Sequence, residues 1–135
     1  MRHDVCDEMW FYAIEGSDVG VWDWNAVTGE VYFSPRWKSM LGYDEADIAS
    51  HVDEWSSRIH PDDKEMVQLQ LERYIAGEAD QYRSEHRLRC KDGGWKWILD
   101  RGKIVSRTEG GTPLRIVGTH TDISSLRDAE QARYQ

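Results

Sequence analysis

A chain of 135 residues with 39% apolar content has material for one domain with one core, burying about two-thirds of its unfolded surface. Its net charge of −8 excludes the basic face that nucleic-acid binding requires, and no apolar run approaches the ~18 residues of a membrane span. Two cysteines, Cys6 and Cys90, with no CxxC spacing, exclude a disulfide framework and make a reducing, cytoplasmic setting the expectation.

The first element expected is a helix over residues 4–15. Val5, Met9, Tyr12 and Ala13 follow helical spacing, Trp10 and Ile14 add a second apolar row, Asp4 can cap the start and Gly16 can end it. That broad stripe packs either on the chain's own sheet or on a second copy. Val19–Trp24 alternates as a strand, Asn25–Glu30 is a turn, and Val31–Phe33 is a second strand. Ser34-Pro35 then opens a helix, Ser as cap and Pro at the first helical position, which Gly42 ends. Trp37, Met40 and Leu41 face its core side.

Residues 43–57 read as short helical turns anchored by Trp55. Pro61-Asp62-Asp63 starts the longest internal helix, to about Ala76, with acidic residues suited to its N-terminal dipole. Val67, Leu71, Tyr74 and Ile75 form its apolar face. His60-Pro61 sets the start of that helix, and His60 lacks a partner ligand at helical spacing. Three strands follow: Tyr82–Cys90, Trp95–Arg107 and Leu114–Thr121, joined by turns at Lys91–Gly94 and Glu109–Gly111. A polar helix leaves from Ser124. The sum is an α+β fold: a five-stranded antiparallel sheet with helices on one face, between an N-terminal helix and a C-terminal exit helix.

The residues that carry a resemblance are Arg87-Leu88-Arg89, Lys91-Asp92-Gly93, Trp97-Ile98-Leu99, and Gly118 four residues before Asp122-Ile123-Ser124. Upstream matches are Gly20-Val21-Trp22-Asp23-Trp24, Leu41-Gly42-Tyr43 and His60-Pro61-Asp62-Asp63. In this order they resemble the PAS domain, in the branch common in bacterial sensor kinases and in cyclic-di-nucleotide enzymes. The resemblance covers about Ser17 to Ser124. It implies a domain at 17–123, preceded by the helix of 1–16 and followed by the start of a signalling helix at 124–135.

The sheet's two faces divide the candidate residues. In the third strand Tyr82, His86, Leu88 and Cys90 alternate against Arg83, Glu85, Arg87 and Arg89, and the first set is expected to face the helices. In the fourth, aromatic content alone would turn Trp95, Trp97 and Leu99 inward. The resemblance reverses this: in flavin-binding PAS relatives the positions matching Leu88, Ile98 and His120 point into the cavity. Trp95, Trp97 and Leu99 then form an outer apolar row, to be covered by the N-terminal helix, by a second subunit or by Lys and Arg stems. With Trp10 and Ile14 they are the dimer-interface candidates, since the family's leading helix often provides a dimer contact.

If Asp92-Gly93-Gly94 is a three-residue turn, His86 lies opposite Asp100. If the next hairpin centres on Gly110, Asp100 lies opposite His120. A carboxylate between two imidazoles would satisfy three buried polar groups and raise the pKa of each His. A structural hydrogen-bond row is preferred over a ligand contact, and both over a His/Asp metal site. Met66 and Trp37 complete the pocket candidates.

The family's photoactive flavin domains carry a Cys-containing motif that is absent here, and haem-binding relatives use a His on the long helix, which residues 61–76 lack. Flavin and haem are therefore disfavoured, leaving an unknown small ligand or an empty, collapsed pocket. Asp122 is expected to pair with Arg101 or Lys103, and Ser124 to cap the exit helix. Asp122, Ile123 and Ser124 would relay the signal.

The function this implies is a non-catalytic sensory and dimerisation module. It would relay ligand binding or an interface change to a covalently linked effector, as in two-component or cyclic-di-GMP signalling, without membrane or nucleic-acid contact. The alternatives are a small α+β-cone isomerase or dehydratase using an Asp–His pair, and a ligand-free dimerisation scaffold.

Overall fold

The computed structural model describes residues 18–133. The N-terminal helix expected over 4–15, and with it Trp10 and Ile14, lies outside the described residues.

Two strands open the described chain, β1 (Gly20–Asn25) and β2 (Val31–Phe33), paired antiparallel with Trp22 opposite Phe33. Helix α1 (Pro35–Met40) follows as its sequence dictates. Ser34 Oγ accepts the Trp37 N–H at 3.2 Å as a true N-cap, and also the Val21 N–H at 2.9 Å, which ties the helix start to β1. Gly20 permits this approach, because a Cβ there would lie 2.7 Å from Trp37 Cα.

A 3₁₀ turn (Glu45–Asp47) and a single helical turn, α2 (Asp53–Ser56), lead to the long helix α3 (Lys64–Ile75). The helix begins three residues later than Pro61. Asp62 N–H donates to His60 Nδ1 at 3.1 Å, and the Asp63 carboxylate makes no capping bond because it is turned to Arg87 on the sheet.

Strands β3 (Tyr82–Arg89), β4 (Trp95–Arg107) and β5 (Pro113–Asp122) complete one sheet of order β2-β1-β5-β4-β3, and helix α4 (Ser124–Arg133) follows β5 directly. The last strand in sequence is therefore central, antiparallel to both β1 and β4. The α+β fold expected from sequence is the fold observed. Its core lies between the inner sheet face and the helices: Phe33, Trp37, Leu41, Val67, Leu88, Ile98 and Ile116 are all buried. Among the described residues no helix is long and apolar enough to cross a membrane.

One register differs from expectation. The β3–β4 loop is Lys91-Asp92-Gly93, closed by the Cys90 N–H donating to Gly94 O at 2.8 Å. Beginning one residue early moves the pairing by two. Ser84, not His86, sits opposite Asp100, and His86 sits opposite Ile98. A slip of two preserves the face, so His86 still points inward. The β4–β5 register is as expected, with Asp100 opposite His120.

Candidate functional site

The inner face of β1, β5 and β4 holds a cavity of about 30 Å³, room for one or two waters. Its wall is mostly aromatic: Trp22 and Trp24 from β1, Phe33 from β2, Trp37 from α1, Trp55 from α2 and Tyr82 from β3. Val31, Val52 and Leu71 add aliphatic surface, and Asp100 and His120 join the Tyr82 phenol as its ionisable members.

Two glycines make the site possible. Gly118 on β5 stands opposite both Trp22 on β1 and Gly102 on β4. A Cβ on Gly102 would lie 2.5 Å from the Trp22 ring, and one on Gly118 would also clash with it. The indole therefore lies across a floor without side chains and reaches Asp100, donating from Nε1 to Oδ1 at 2.9 Å. His120 Nε2 lies 3.1 Å from the other carboxylate oxygen, Oδ2. Both Asp100 oxygens are thus partnered, as a buried carboxylate requires.

His86 does not join that pair. Its Nε2 is 4.0 Å from Asp100 Oδ2, beyond hydrogen-bond reach, and instead accepts the Trp55 Nε1–H at 3.2 Å. The other ring nitrogen, 2.8 Å from Ser84 Oγ, must then carry the proton and donate. A neutral His86 satisfies both neighbours. Burial dominates its titration, outweighing the attraction of Asp100, and pushes its pKa down to about 4. The expected rise at His86 is thereby reversed, and the expected row of carboxylate between two imidazoles becomes two separate pairs. A ligand atom from each of His86, Asp100 and His120 lies within 4.8 Å of the others. His86 Nε2 already accepts from Trp55, so a cation bound through that atom would have to break this bond.

The remaining pocket candidates divide. Trp37, Asp100 and His120 line the cavity. Leu88 and Ile98 are fully buried in the core but are not part of its wall. Met66 is 43% exposed on α3, because Val67 and Leu71 take the inward positions and residue 66 stands about 100° round the helix from Val67. Sequence reasoning left out Trp22, Trp24 and Tyr82. The signal for Trp22 was present in Gly102 and Gly118.

Three polar groups of this wall are unpartnered. Among the described residues five buried side-chain polar atoms lack a hydrogen bond, and three of them, Trp24 Nε1, Trp37 Nε1 and the Tyr82 hydroxyl, belong to cavity-lining residues. Each such group costs ~1–3 kcal/mol if left dry. The Tyr82 hydroxyl lies beside Ser84 and Asp100, close enough to interact with both but short of full hydrogen-bond geometry. Burial first, then the Asp100 charge, raise its pKa far above the ordinary phenol value.

The opposite face carries a different set of contacts. Asp63 accepts the Arg87 backbone N–H at 2.8 Å and grips its guanidinium at 2.8 and 3.0 Å. Burial opposes the Asp63 charge, but these bonds outweigh it and hold the carboxyl below its ordinary value. The Trp97 ring lies beneath two guanidiniums, Arg87 at 4.8 Å and Arg127 of α4 at 3.6 Å, and Arg127 also meets Glu85 at 3.2 Å. Trp97 and Leu99 are half-buried on this face and Trp95 is 43% exposed, its ring 4.6 Å from that of His60.

The junction between β5 and α4 corrects two expectations. Asp122 pairs with Lys96 at 3.3 Å, not with Arg101 or Lys103. Asp122 stands opposite Ile98, so Lys96 is its diagonal neighbour on the same face, whereas residues 101 and 103 point to the other side. Ser124 Oγ accepts the Trp97 N–H at 2.9 Å rather than capping α4, and the Asp122 carboxylate accepts the Ser124 N–H at 3.0 Å. Burial works against the Asp122 charge, yet Ser124 and Lys96 together lower its pKa. The Ile123 N–H donates to Trp97 O at 2.9 Å and its side chain is buried.

Comparison with known proteins agrees with this architecture. A family described as PAS fold matches residues 30–120. The sensor protein FixL of Bradyrhizobium diazoefficiens is 29% identical over 119 residues, covering 88% of this chain and 23% of that protein. The probable diguanylate cyclase DgcE of Escherichia coli is 30% identical over 96 residues, covering 71% and 8%. The chain therefore spans less than a quarter of either relative. The crystal structure of a sensory box histidine kinase/response regulator from Burkholderia thailandensis superposes with a TM-score of 0.81 at 33% identity, covering 93% of this chain and 92% of that one. Matched in sequence across its sheet and in structure over nearly its whole length, the chain belongs to the PAS family, as a sensor domain homologous to those of histidine kinases and diguanylate cyclases.

Proposed function

We propose that residues 17–123 form a sensory and dimerisation module without catalysis of its own, and that 124–135 begin the helix that passes its state to an effector domain in a longer cytoplasmic protein. One observation carries this reading. The central strand β5 contributes His120 to the cavity and, within four residues, becomes α4. A change in the cavity that shifts β5 is transmitted to Asp122, Ile123 and Ser124, each bonded to the Lys96–Trp97 stretch of β4. Kinase and cyclase relatives many times longer than this domain support a covalently linked effector. A coupling of ~1–3 kcal/mol suffices for such a relay.

The occupant, if any, is a small molecule in the aromatic cavity; neither flavin nor haem is favoured by the residues. The outer row Trp95, Trp97 and Leu99, with Trp10 and Ile14, is the surface for a homodimer. The deciding experiment is Asp122→Ala in the full-length parent. The expected outcome is an intact fold by circular dichroism with altered effector output. Unchanged output refutes the relay.

A ligand-free scaffold is the second reading, and the small cavity favours it. A cone-fold isomerase is not favoured, because both oxygens of the candidate base Asp100 are engaged by Trp22 and His120.

A further inference from the structure

Three neighbouring strands bring three metal-ligating side chains to one point of the inner face. His86 on β3, Asp100 on β4 and His120 on β5 are almost completely buried, and a ligand atom from each lies within 4.8 Å of the others. Asp100 Oδ2 is the meeting point, 3.1 Å from His120 Nε2 and 4.0 Å from His86 Nε2. Ligand atoms held at ~2.0–2.2 Å by a tetrahedral zinc ion stand ~3.3 Å apart, so shifts of about 1 Å close the set.

The ligands are already oriented from behind. Ser84 Oγ accepts the His86 Nδ1–H at 2.8 Å, which leaves Nε2 as the nitrogen with a free lone pair to offer. Trp22 holds Asp100 Oδ1 at 2.9 Å and leaves Oδ2 to the two histidines. Ligating side chains carry outer hydrogen bonds of this kind. Two nitrogens and one oxygen suit a borderline first-row ion rather than calcium or magnesium, which take oxygen ligands. The cavity beside Asp100 and His120 has room for one or two waters, which completes a four- or five-coordinate shell and not an octahedral one.

We propose that His86, Asp100 and His120 bind one divalent ion of the zinc class, and that its binding releases Trp55. The two events are one, because His86 Nε2 accepts the Trp55 Nε1–H at 3.2 Å and a single lone pair serves one partner. The proton between His120 Nε2 and Asp100 Oδ2 leaves to solvent as the ion enters. Trp55 is half-buried on α2, a single turn of four residues, so it is both the way in and the first group to move. This goes beyond the sensory reading: the ion is an input, and α2 responds to it.

The test uses the full chain, stripped with EDTA, and cobalt(II) as a probe whose visible spectrum reports its geometry. One equivalent should bind with a dissociation constant of about 10 µM or below, show the intense bands of a four- or five-coordinate ion, and be displaced by zinc. Zinc should also shift the nitrogen-15 resonance of the Trp55 indole, and calcium or magnesium should not. His86→Gln and Asp100→Asn should each weaken cobalt by a factor of about 100 or more. The weak bands of a hydrated octahedral ion, binding that survives both substitutions, or an unmoved Trp55 indole each overturn the proposal.

Either ligand variant could lose the fold along with the metal. Trp55→Phe keeps all three ligands and frees His86 Nε2 in advance. It should tighten cobalt about fivefold, the equivalent of one neutral hydrogen bond. A purely structural row gives no such gain, so unchanged or weaker affinity overturns the proposal. Because binding is read on this chain alone, a silent Asp122 variant in the parent would remove the relay and leave the metal site standing, and the reverse holds too.

Discussion

The two faces of this sheet solve opposite problems with the same strands. The inner face buries Asp100, His86, His120 and Ser84 almost completely, and each is answered by a fixed neighbour. The outer face keeps its charges wet and uses them as covers, with Arg87 and Arg127 stacked over Trp97. Inside, a lost partner leaves a desolvated group and a large penalty. Outside, water replaces a lost partner and the penalty is small. Structure specification is thus concentrated on the inner face, and the adjustable contacts to the exit helix lie on the outer one.

The sharpest way to break this contrast is to fill the glycine floor. Gly118→Val would drive a side chain into the Trp22 indole and the β4 backbone, and should cost about 3 kcal/mol or more in urea unfolding. A loss below ~0.5 kcal/mol would mean that the indole does not rest there. Next comes Asp63, which links the two faces by tying the α3 start to β3. Asp63→Ala abandons the Arg87 N–H and its guanidinium, and should cost about 2 kcal/mol. The Asp63→Ala/Arg87→Ala pair should be clearly non-additive in a double-mutant cycle, and additive losses would show that the clamp is idle.

The fold was legible because its punctuation is local. Ser34-Pro35 writes the start of α1 and Gly42 its end, and the glycine turns separate strands of the right length. The inner-face row was legible only in parity. Alternation places His86 inward whatever the hairpin loop, but its opposite number depends on whether the loop opens at Lys91 or Asp92, and turn composition does not distinguish the two. The Asp122 partner, by contrast, was legible: the expected β4–β5 register sets Asp122 opposite Ile98, and alternation then places Lys96, not Arg101 or Lys103, on its face. The cavity wall was harder still, because Trp22, Trp55 and Tyr82 meet from three separate elements. Only the paired Gly102 and Gly118 announce in sequence that something flat lies over β4 and β5.

Acid sharpens the comparison from the inside. His86 is neutral when folded, with its pKa near 4 against an ordinary 6.5. Between those values the unfolded chain takes up a proton that the folded chain refuses. Stability from this group is therefore complete above pH 6.5, falls on acidification by the order of 1 kcal/mol per pH unit, and levels off below about 4. Asp63 and Asp122, whose folded pKa values are lowered, contribute only at the acid end, where their stabilisation is lost as pH falls below the ordinary carboxylate value of 3.8. His86→Leu cannot titrate. Its unfolding free energy, whatever its absolute value, should be flatter between pH 6.5 and 4.5, and an unchanged slope would assign the acid sensitivity elsewhere.

The smallest effect probes the outer face. Arg127 holds the first turn of α4 against Trp97 and Glu85, and its side chain is 38% exposed, so the contact is partly screened. Arg127→Ala should leave global unfolding within ~0.5 kcal/mol of the parent. Amide exchange in α4 alone should quicken about threefold, the equivalent of one exposed cation–π contact. Arg127→Lys should recover only part of the protection, because an ammonium keeps the charge but loses the planar stacking over the indole. Faster exchange in β4 and β5 as well would mean that α4 supports the sheet, and the division of labour between the two faces would fail. Exchange confined to α4 would place its docking energy within the range that a ligand-driven shift of β5 could overcome.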